Sequence, residues 1–303
     1  MTQNTATTAT PVPAFLPPGS FARYASLSWD SKAYGDVATE GRRRKIIRMI
    51  SRAPDAPVQT PHNFQIGTID SSRGNSPVLH AHDYPEIFIP IRSSYRVDYG
   101  TDGEKSAVLG MYDAFSLPLF VPRRFEATEV APRESQMLSI FDTTLQDARK
   151  GIFVSPAIAA LNTTVGVPQE FEIMDDLKDI SQAEVEAKHI ARFDDLQIEY
   201  SGGMRVRRLI AAGEGRAALR TPHTISAEFI EVEPGRQSDV YSSDCREVFV
   251  ALEGQPRILW KGQPVQMERL DVFSVGPSCD RAVVATGSER SLLLRIRDLT
   301  NKA

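Results

Sequence analysis

Two stretches of the chain alternate apolar and polar residues with period two, "FQIGTID" (64–70) and "AEFIEVE" (227–233). That alternation puts every second side chain on one face of an extended strand. Four more short runs, "EIFIPI" (86–91), "YRVDYG" (95–100), "EVFVALE" (247–253) and "RILWKG" (257–262), are rich in β-branched and aromatic residues. Turn formers separate them, as in "SSRGNSP" (71–77), "GTDGEK" (100–105) and "EPGRQ" (233–237). Short strands at close spacing predict an all-β, antiparallel sandwich or jelly-roll barrel rather than βαβ units. The period changes between residues 146 and 203. "SQAEVEAKHIARF" (181–193) starts with a capping box, Ser181 followed three residues later by Glu184, and predicts a helix; "TLQDARKGIFVSPAIAALN" (144–162) is a weaker helical stretch.

The strand-rich regions repeat. At an offset of 161, Thr60-Pro61-His62 matches Thr221-Pro222-His223, Gly74 matches Gly235, and Glu86-Ile87-Phe88 matches Glu247-Val248-Phe249. At an offset of 158, "YDAFSLPLFVPRRF" (112–125) matches "LDVFSVGPSCDRAV" (270–283), pairing Asp113 with Asp271 and Arg123 with Arg281. A duplicated unit of this length is a domain, not a solenoid repeat. The expected organisation is a flexible arm (1–44), a first barrel (45–145), a partly helical connector (146–203) and a second barrel (204–303).

Composition narrows the function classes. The 303 residues are 41% hydrophobic and 24% charged, with a net charge of −4, which does not describe a nucleic-acid binder. The one strong basic run, Arg42-Arg43-Arg44-Lys45, leads straight into Ile46-Ile47 and reads as the solvated start of a strand. No segment approaches the ~18 apolar residues of a membrane span. The Thr-, Ala- and Pro-rich start lacks the charged and apolar regions of a secretory signal. Two cysteines, Cys245 and Cys279, make no disulfide framework. A cytoplasmic setting is expected.

"VLHAHDYPEIFIPI" (78–91) carries the candidate chemistry. His80 and His82 are two apart, so a strand directs both to one face. Glu86, beyond a bend at Tyr84-Pro85, can return a carboxylate to the same point. Two imidazoles and a carboxylate on one face, with positions left open, suit non-heme Fe(II), although Mn, Ni, Co or Zn accept the same donors. The second copy has Tyr241 and Ser243 where the first has the histidines, so it is expected to hold no metal there. His62 is repeated as His223 and reads as a strand-start feature. His189, at the end of the predicted helix, is expected at the surface. Cys279, which matches Val121, reads as a packed thiol.

The frame His80-x-His82-x-x-x-Glu86 followed by "DAFSLPLFVPRRF" resembles the two motifs of the cupin superfamily, and the duplication resembles a bicupin over roughly 45–145 and 204–298. The family's usual histidine after the second-motif proline is here Arg123, which cannot ligate a cation. The resemblance implies one divalent transition metal per chain, held by His80, His82 and Glu86, with Fe(II) foremost. Tyr84 and Arg123 are the candidate substrate contacts. Two readings of the Glu–Arg combination stay open, since Glu247 and Arg281 repeat it in the metal-free half: Glu86 as a ligand with Arg123 as a substrate clamp, or an internal ion pair. The implied activity is an oxygenase acting with O₂ on a small acidic or aromatic substrate. Alternatives are a non-redox metalloenzyme (isomerase, lyase or decarboxylase) and a small-molecule-binding protein without catalysis. No nucleic-acid or membrane partner is expected, and a homo-oligomer, a dimer, is the expected assembly.

Overall fold

The parity of the strands explains the architecture. In Glu86–Arg92, Ile87, Ile89 and Ile91 belong to one apolar cluster and Phe88 to another. Such a strand is buried on both faces, which is why it reads as a continuous apolar run. The computed structural model describes residues 10–30, 45–70, 76–128, 135–142, 151–164, 171–211 and 217–302. In the N-terminal half, a six-stranded sheet runs in the order Ile190–Ala191, Ala114–Phe115, Glu86–Arg92, Gln136–Asp142, Phe64–Asp70, Lys45–Ile50. Its inner face, with Ile69, Phe88 and Met137, packs on the sheet Lys105–Leu109, Tyr95–Tyr99, Arg123–Ala127 through Tyr95, Val97 and Phe125.

The C-terminal half repeats this plan. Its large sheet runs Phe21–Ala22, Val272–Val275, Cys245–Glu253, Ser291–Lys302, Ile225–Val232, Met204–Ile210, Ile198–Ser201. The inner face packs on the sheet Gln263–Gln266, Pro256–Trp260, Arg281–Ala285. The outer faces of the two large sheets meet back to back, joining Ile66, Ile87, Ile89, Leu138 and Ile140 to Phe229, Val248, Val250, Leu292 and Leu294. Among the described residues, no helix is long and apolar enough to cross a membrane.

The segment before each barrel crosses to the other one. Phe21 and Ala22 pair with Phe273 and Val272 of the C-terminal sheet; Ile190 and Ala191 pair with Phe115 and Ala114 of the N-terminal sheet. The two crossing segments are themselves alike, "FARYASL" (21–27) and "IARFDDL" (190–196). Arg23 pairs with Asp271, whose other oxygen accepts the Tyr24 amide at 2.9 Å. Arg192 pairs with Asp113 at 2.9 Å, and Asp113 likewise accepts the Phe193 amide at 2.9 Å. The matching aspartates therefore anchor the arm of the opposite repeat.

The repeated Thr-Pro-His triplets obey the same exchange. His62 Nε2 lies 3.0 Å from Ser274 Oγ, and His223 Nε2 lies 3.0 Å from Ser116 Oγ. The amides that follow donate across as well, Asn63 to Asp298 at 3.1 Å and Thr224 to Asp142 at 2.6 Å. These histidines precede their strands, but their role is to join the two barrels.

Several expectations change. Over residues 10–30 the flexible arm is instead packed, with Phe21 and Ala22 buried; residues 1–9 and 31–44, including Arg42 to Arg44, lie outside the described residues. The capped helix is Gln182–Lys188, with Ser181 Oγ accepting from the Glu184 amide, and it stops at His189 because Ile190–Ala191 is taken up as a strand. His189 is not at the surface. It is 4% exposed, with Nδ1 3.0 Å from the Ser116 carbonyl and 2.9 Å from Thr221 Oγ1. The weaker helix shrinks to Pro156–Thr164, and Ile152–Val154 before it is a strand; 143–150 lie outside the described residues.

Candidate functional site

The strand Ala81–His82 sits between two neighbours. On one side, Ile152 and Phe153 pair with His82 and Ala81. On the other, His80 and Arg123 exchange both backbone hydrogen bonds, at 3.2 and 2.8 Å. The bend at Tyr84-Pro85 then returns the chain into Glu86–Arg92, and Glu86 lies across from Phe141 in the sheet.

The structure brings His80, His82, Tyr84 and Glu86 to one cavity of about 130 Å³. The His80 and His82 rings stand edge to face, 4.8 Å apart, and Tyr84 stacks on His82 at 4.6 Å. The remaining wall is apolar and includes Phe125, Phe141, Ile152 and Phe171. His80 Nδ1 lies 2.6 Å from the Val78 carbonyl and His82 Nδ1 3.3 Å from the Gly151 carbonyl. A carbonyl can only accept, so each Nδ1 carries a proton; in a neutral ring Nε2 then carries the lone pair, the tautomer a metal ligand needs. Burial, then the Arg123 cation, then His80, hold the His82 pKa well below its ordinary value, so this imidazole is neutral.

Glu86 Oε2 accepts from Arg123 Nη2 at 2.9 Å and stands 3.7 Å from His82 Nε2. Arg123 is 3% exposed, and its Nη1 reaches the Val121 carbonyl. It stands behind Glu86 and does not line the cavity. The pair recurs in the other barrel, where Arg281 Nε is 2.8 Å from Glu247 Oε2. The donors suit a divalent metal in kind: two imidazoles oriented by main-chain carbonyls, beside a carboxylate shared with a guanidinium. Among the described residues, no three His, Cys, Asp or Glu side chains stand close enough to make a ready cation cage.

The apolar wall escaped the sequence reading. Ile152 and Phe171 belong to the connector, and nothing in a lone sequence says that a connector closes a barrel. Phe141 has the charged Arg297 as its counterpart by strand register, an offset of 156 that neither repeat offset gives.

The architecture places the chain among known proteins. It is similar to the oxalate decarboxylase of Bacillus subtilis, at 17% identity with a TM-score of 0.64 over 95% of this chain and 79% of that one. The chain has the bicupin fold. A second oxalate decarboxylase structure, solved to define its substrate binding mode, matches at 18% identity and a TM-score of 0.65, again over 95% and 79%. The formate complex of the Lactobacillus farciminis oxalate decarboxylase matches at 13% and 0.62, over 93% of this chain and 87% of that one. No family model and no curated protein sequence matches this bicupin chain.

Proposed function

We propose that the N-terminal barrel is the active site of a metal-dependent enzyme that acts on a small carboxylic acid by non-redox, decarboxylase-like chemistry. The observation that carries this reading is the pair of imidazoles, each with Nδ1 anchored to a main-chain carbonyl, at the wall of a small cavity. His80 and His82, with Glu86, would hold one divalent transition metal. When bound, the metal would act as a Lewis acid toward a substrate carboxylate.

The protein's own groups do the rest. A water occupies about 30 Å³ of liquid, so the cavity admits a molecule of roughly four water volumes, the scale of a two- to four-carbon acid. Its phenyl and isoleucine walls exclude water and strengthen every polar contact inside. The Tyr84 phenol, whose ring stacks on His82 at the cavity wall, would donate to a substrate oxygen. Arg123 holds and orients the Glu86 carboxylate, and so would act on the substrate only through Glu86. The oxalate decarboxylases of the same fold support a decarboxylase over the oxygenase that Fe(II) and O₂ would imply.

A second reading has its own support. With Glu86 engaged by Arg123 and no three-ligand group formed among the described residues, the cavity suits a small-molecule binder without metal. Metal analysis of freshly purified protein distinguishes the two, followed by paired CO₂-release and O₂-uptake assays with oxalate and other two- to four-carbon acids. The enzyme reading expects at most one equivalent of metal per chain, lost in His80→Ala and His82→Ala, and CO₂ without stoichiometric O₂ uptake. Metal retained in the double variant, or two equivalents per chain, overturns it.

A further inference from the structure

The C-terminal barrel has a cavity of its own in the matching place. It measures about 710 Å³ and is lined by Tyr241, Ser243, Glu228, Glu247 and Arg297, among others. Strand register gives the correspondence. Gly67 lies across from Ser139 and Glu86 across from Phe141 in one sheet; Glu228 lies across from Arg295 and Glu247 across from Arg297 in the other. Three inward positions that are small or apolar in the first barrel are thus charged in the second.

These charges do not cancel. Glu228 and Glu247 are at most 7% exposed and face three guanidiniums, from Arg281, Arg295 and Arg297. Two of the three are held behind the wall and do not line the cavity, although the buried Arg281 Nη2 has no hydrogen-bond partner among the described residues. Arg281 holds Glu247 and the carbonyls of Gly276 and Cys279. Arg295 spans Glu228 and the Tyr241 oxygen, at 2.6 and 3.0 Å. Arg297 is different. It lines the cavity with its side chain 30% exposed, its Nε on Glu247 at 2.9 Å and its Nη2 on Glu228 at 3.2 Å, and its Nη1 has no hydrogen bond to the described residues. At the mouth, Arg208 is paired with Glu199 at 2.9 Å, and Asp244 is exposed to water.

We infer that this cavity is a second binding site, for a small hydroxylated organic carboxylate rather than a metal. One surplus positive charge matches one carboxylate, received by Arg297. The flanking glutamates disfavour a dianionic phosphate. Serine and tyrosine hydroxyls and glutamate oxygens around the rest of the wall match ligand hydroxyls. Tyr241 and Ser243 replace the imidazoles, and the Arg295 guanidinium already stands against the tyrosine oxygen, which excludes a divalent ion from that point.

Titration calorimetry tests the site with glycolate, glycerate and gluconate as probes and with glycerol, glucose and inorganic phosphate as comparators. It is run on the wild-type protein and on the His80→Ala/His82→Ala variant, so that the N-terminal cavity is not what is read. The expected result is saturable binding of at least one hydroxy acid in both proteins, at least about tenfold tighter than any comparator. Arg297→Gln should weaken that binding by about tenfold or more, one charge-assisted hydrogen bond. Ser243→Leu, which replaces a wall hydroxyl with apolar bulk and leaves every charge in place, should also weaken it by about tenfold or more. The inference is overturned if no hydroxy acid saturates, if glucose or phosphate binds as tightly, if binding disappears in the histidine variant, or if neither cavity variant changes it.

Discussion

At the inward positions of the N-terminal barrel stand Gly67, His80, His82, Ser139 and Phe141; the C-terminal barrel has Glu228, Tyr241, Ser243, Arg295 and Arg297 in their places. The glutamate–arginine pair is common to both, Glu86 with Arg123 and Glu247 with Arg281. Duplication therefore separates frame from content. The pair belongs to the frame, because it persists where the imidazoles are gone. What the frame encloses differs: a narrow, mostly apolar space with two imidazoles in one barrel, and a wide polar space with its own fixed cations in the other. A guanidinium anchored on a strand cannot leave, so the second barrel is committed to anion or hydroxyl chemistry while the first keeps its donors available.

The comparison is broken most severely by removing the shared carboxylate. Glu247→Ala leaves Arg281 without its carboxylate partner at a position with no solvent, and also releases Arg297 and Tyr241. It should cost about 3–5 kcal/mol in urea unfolding. Glu86→Ala, which strips one arginine beside a cavity, should fall at the lower end of that range. Equal losses would mean that the extra charges of the C-terminal barrel contribute nothing to its stability.

An acid-dependent difference comes next. Burial, with Arg246 adding to it, pushes the His62 pKa down to about 4 from 6.5, against the opposing pull of Asp298. The unfolded chain takes up this proton below pH 6.5 and the folded chain only near pH 4. The stabilisation is thus complete above pH 6.5 and is lost as pH falls toward 4, by at most about 3 kcal/mol. Thermal melts between pH 7 and 4 should show this slope, and His62→Gln should flatten it.

The cross-barrel hydroxyls give a finer test of symmetry. Ser116→Ala and Ser274→Ala each remove one contact to a histidine of the opposite repeat, and each should lower stability by about 1 kcal/mol. A difference between them well above that would show the two halves of the interface to be unequal. The smallest effect is expected from a graft. Tyr241→His with Ser243→His restores the imidazoles, yet metal content should not rise, because Arg295 remains. Adding Arg295→Ser and Arg297→Phe is what should allow uptake, read by elemental analysis.

Most of this contrast could be read from the sequence. Period-two runs and the two offsets carried the all-β duplicated fold, and the loss of both histidines in one copy singled out His80 and His82 without any relative for comparison. Local pattern failed where the structure is non-local. "IARF" continues a helical pattern after Ser181, but Ile190–Ala191 becomes a strand because the edge of the N-terminal sheet is there to receive it. His189 looked exposed for the same reason. The likeness of "FARYASL" and "IARFDDL" was present in the chain, at an offset of 169 rather than 161 or 158, and that change of offset concealed it. The position of Arg123 behind Glu86 is set by side-chain packing, which spacing does not encode.

The exchanged arms also set an order of events at the ribosome. Phe21 and Ala22 are made about 250 residues before their strand partner, Val272–Val275. Throughout synthesis the nascent chain carries an apolar segment with no docking surface, while the N-terminal barrel can close its own edge as soon as Ile190–Ala191 emerges. Pairings this distant in sequence are slow to form, so the docking of this early segment waits on a much later one, and a chain cut short before residue 272 would leave it open to chaperones and to aggregation.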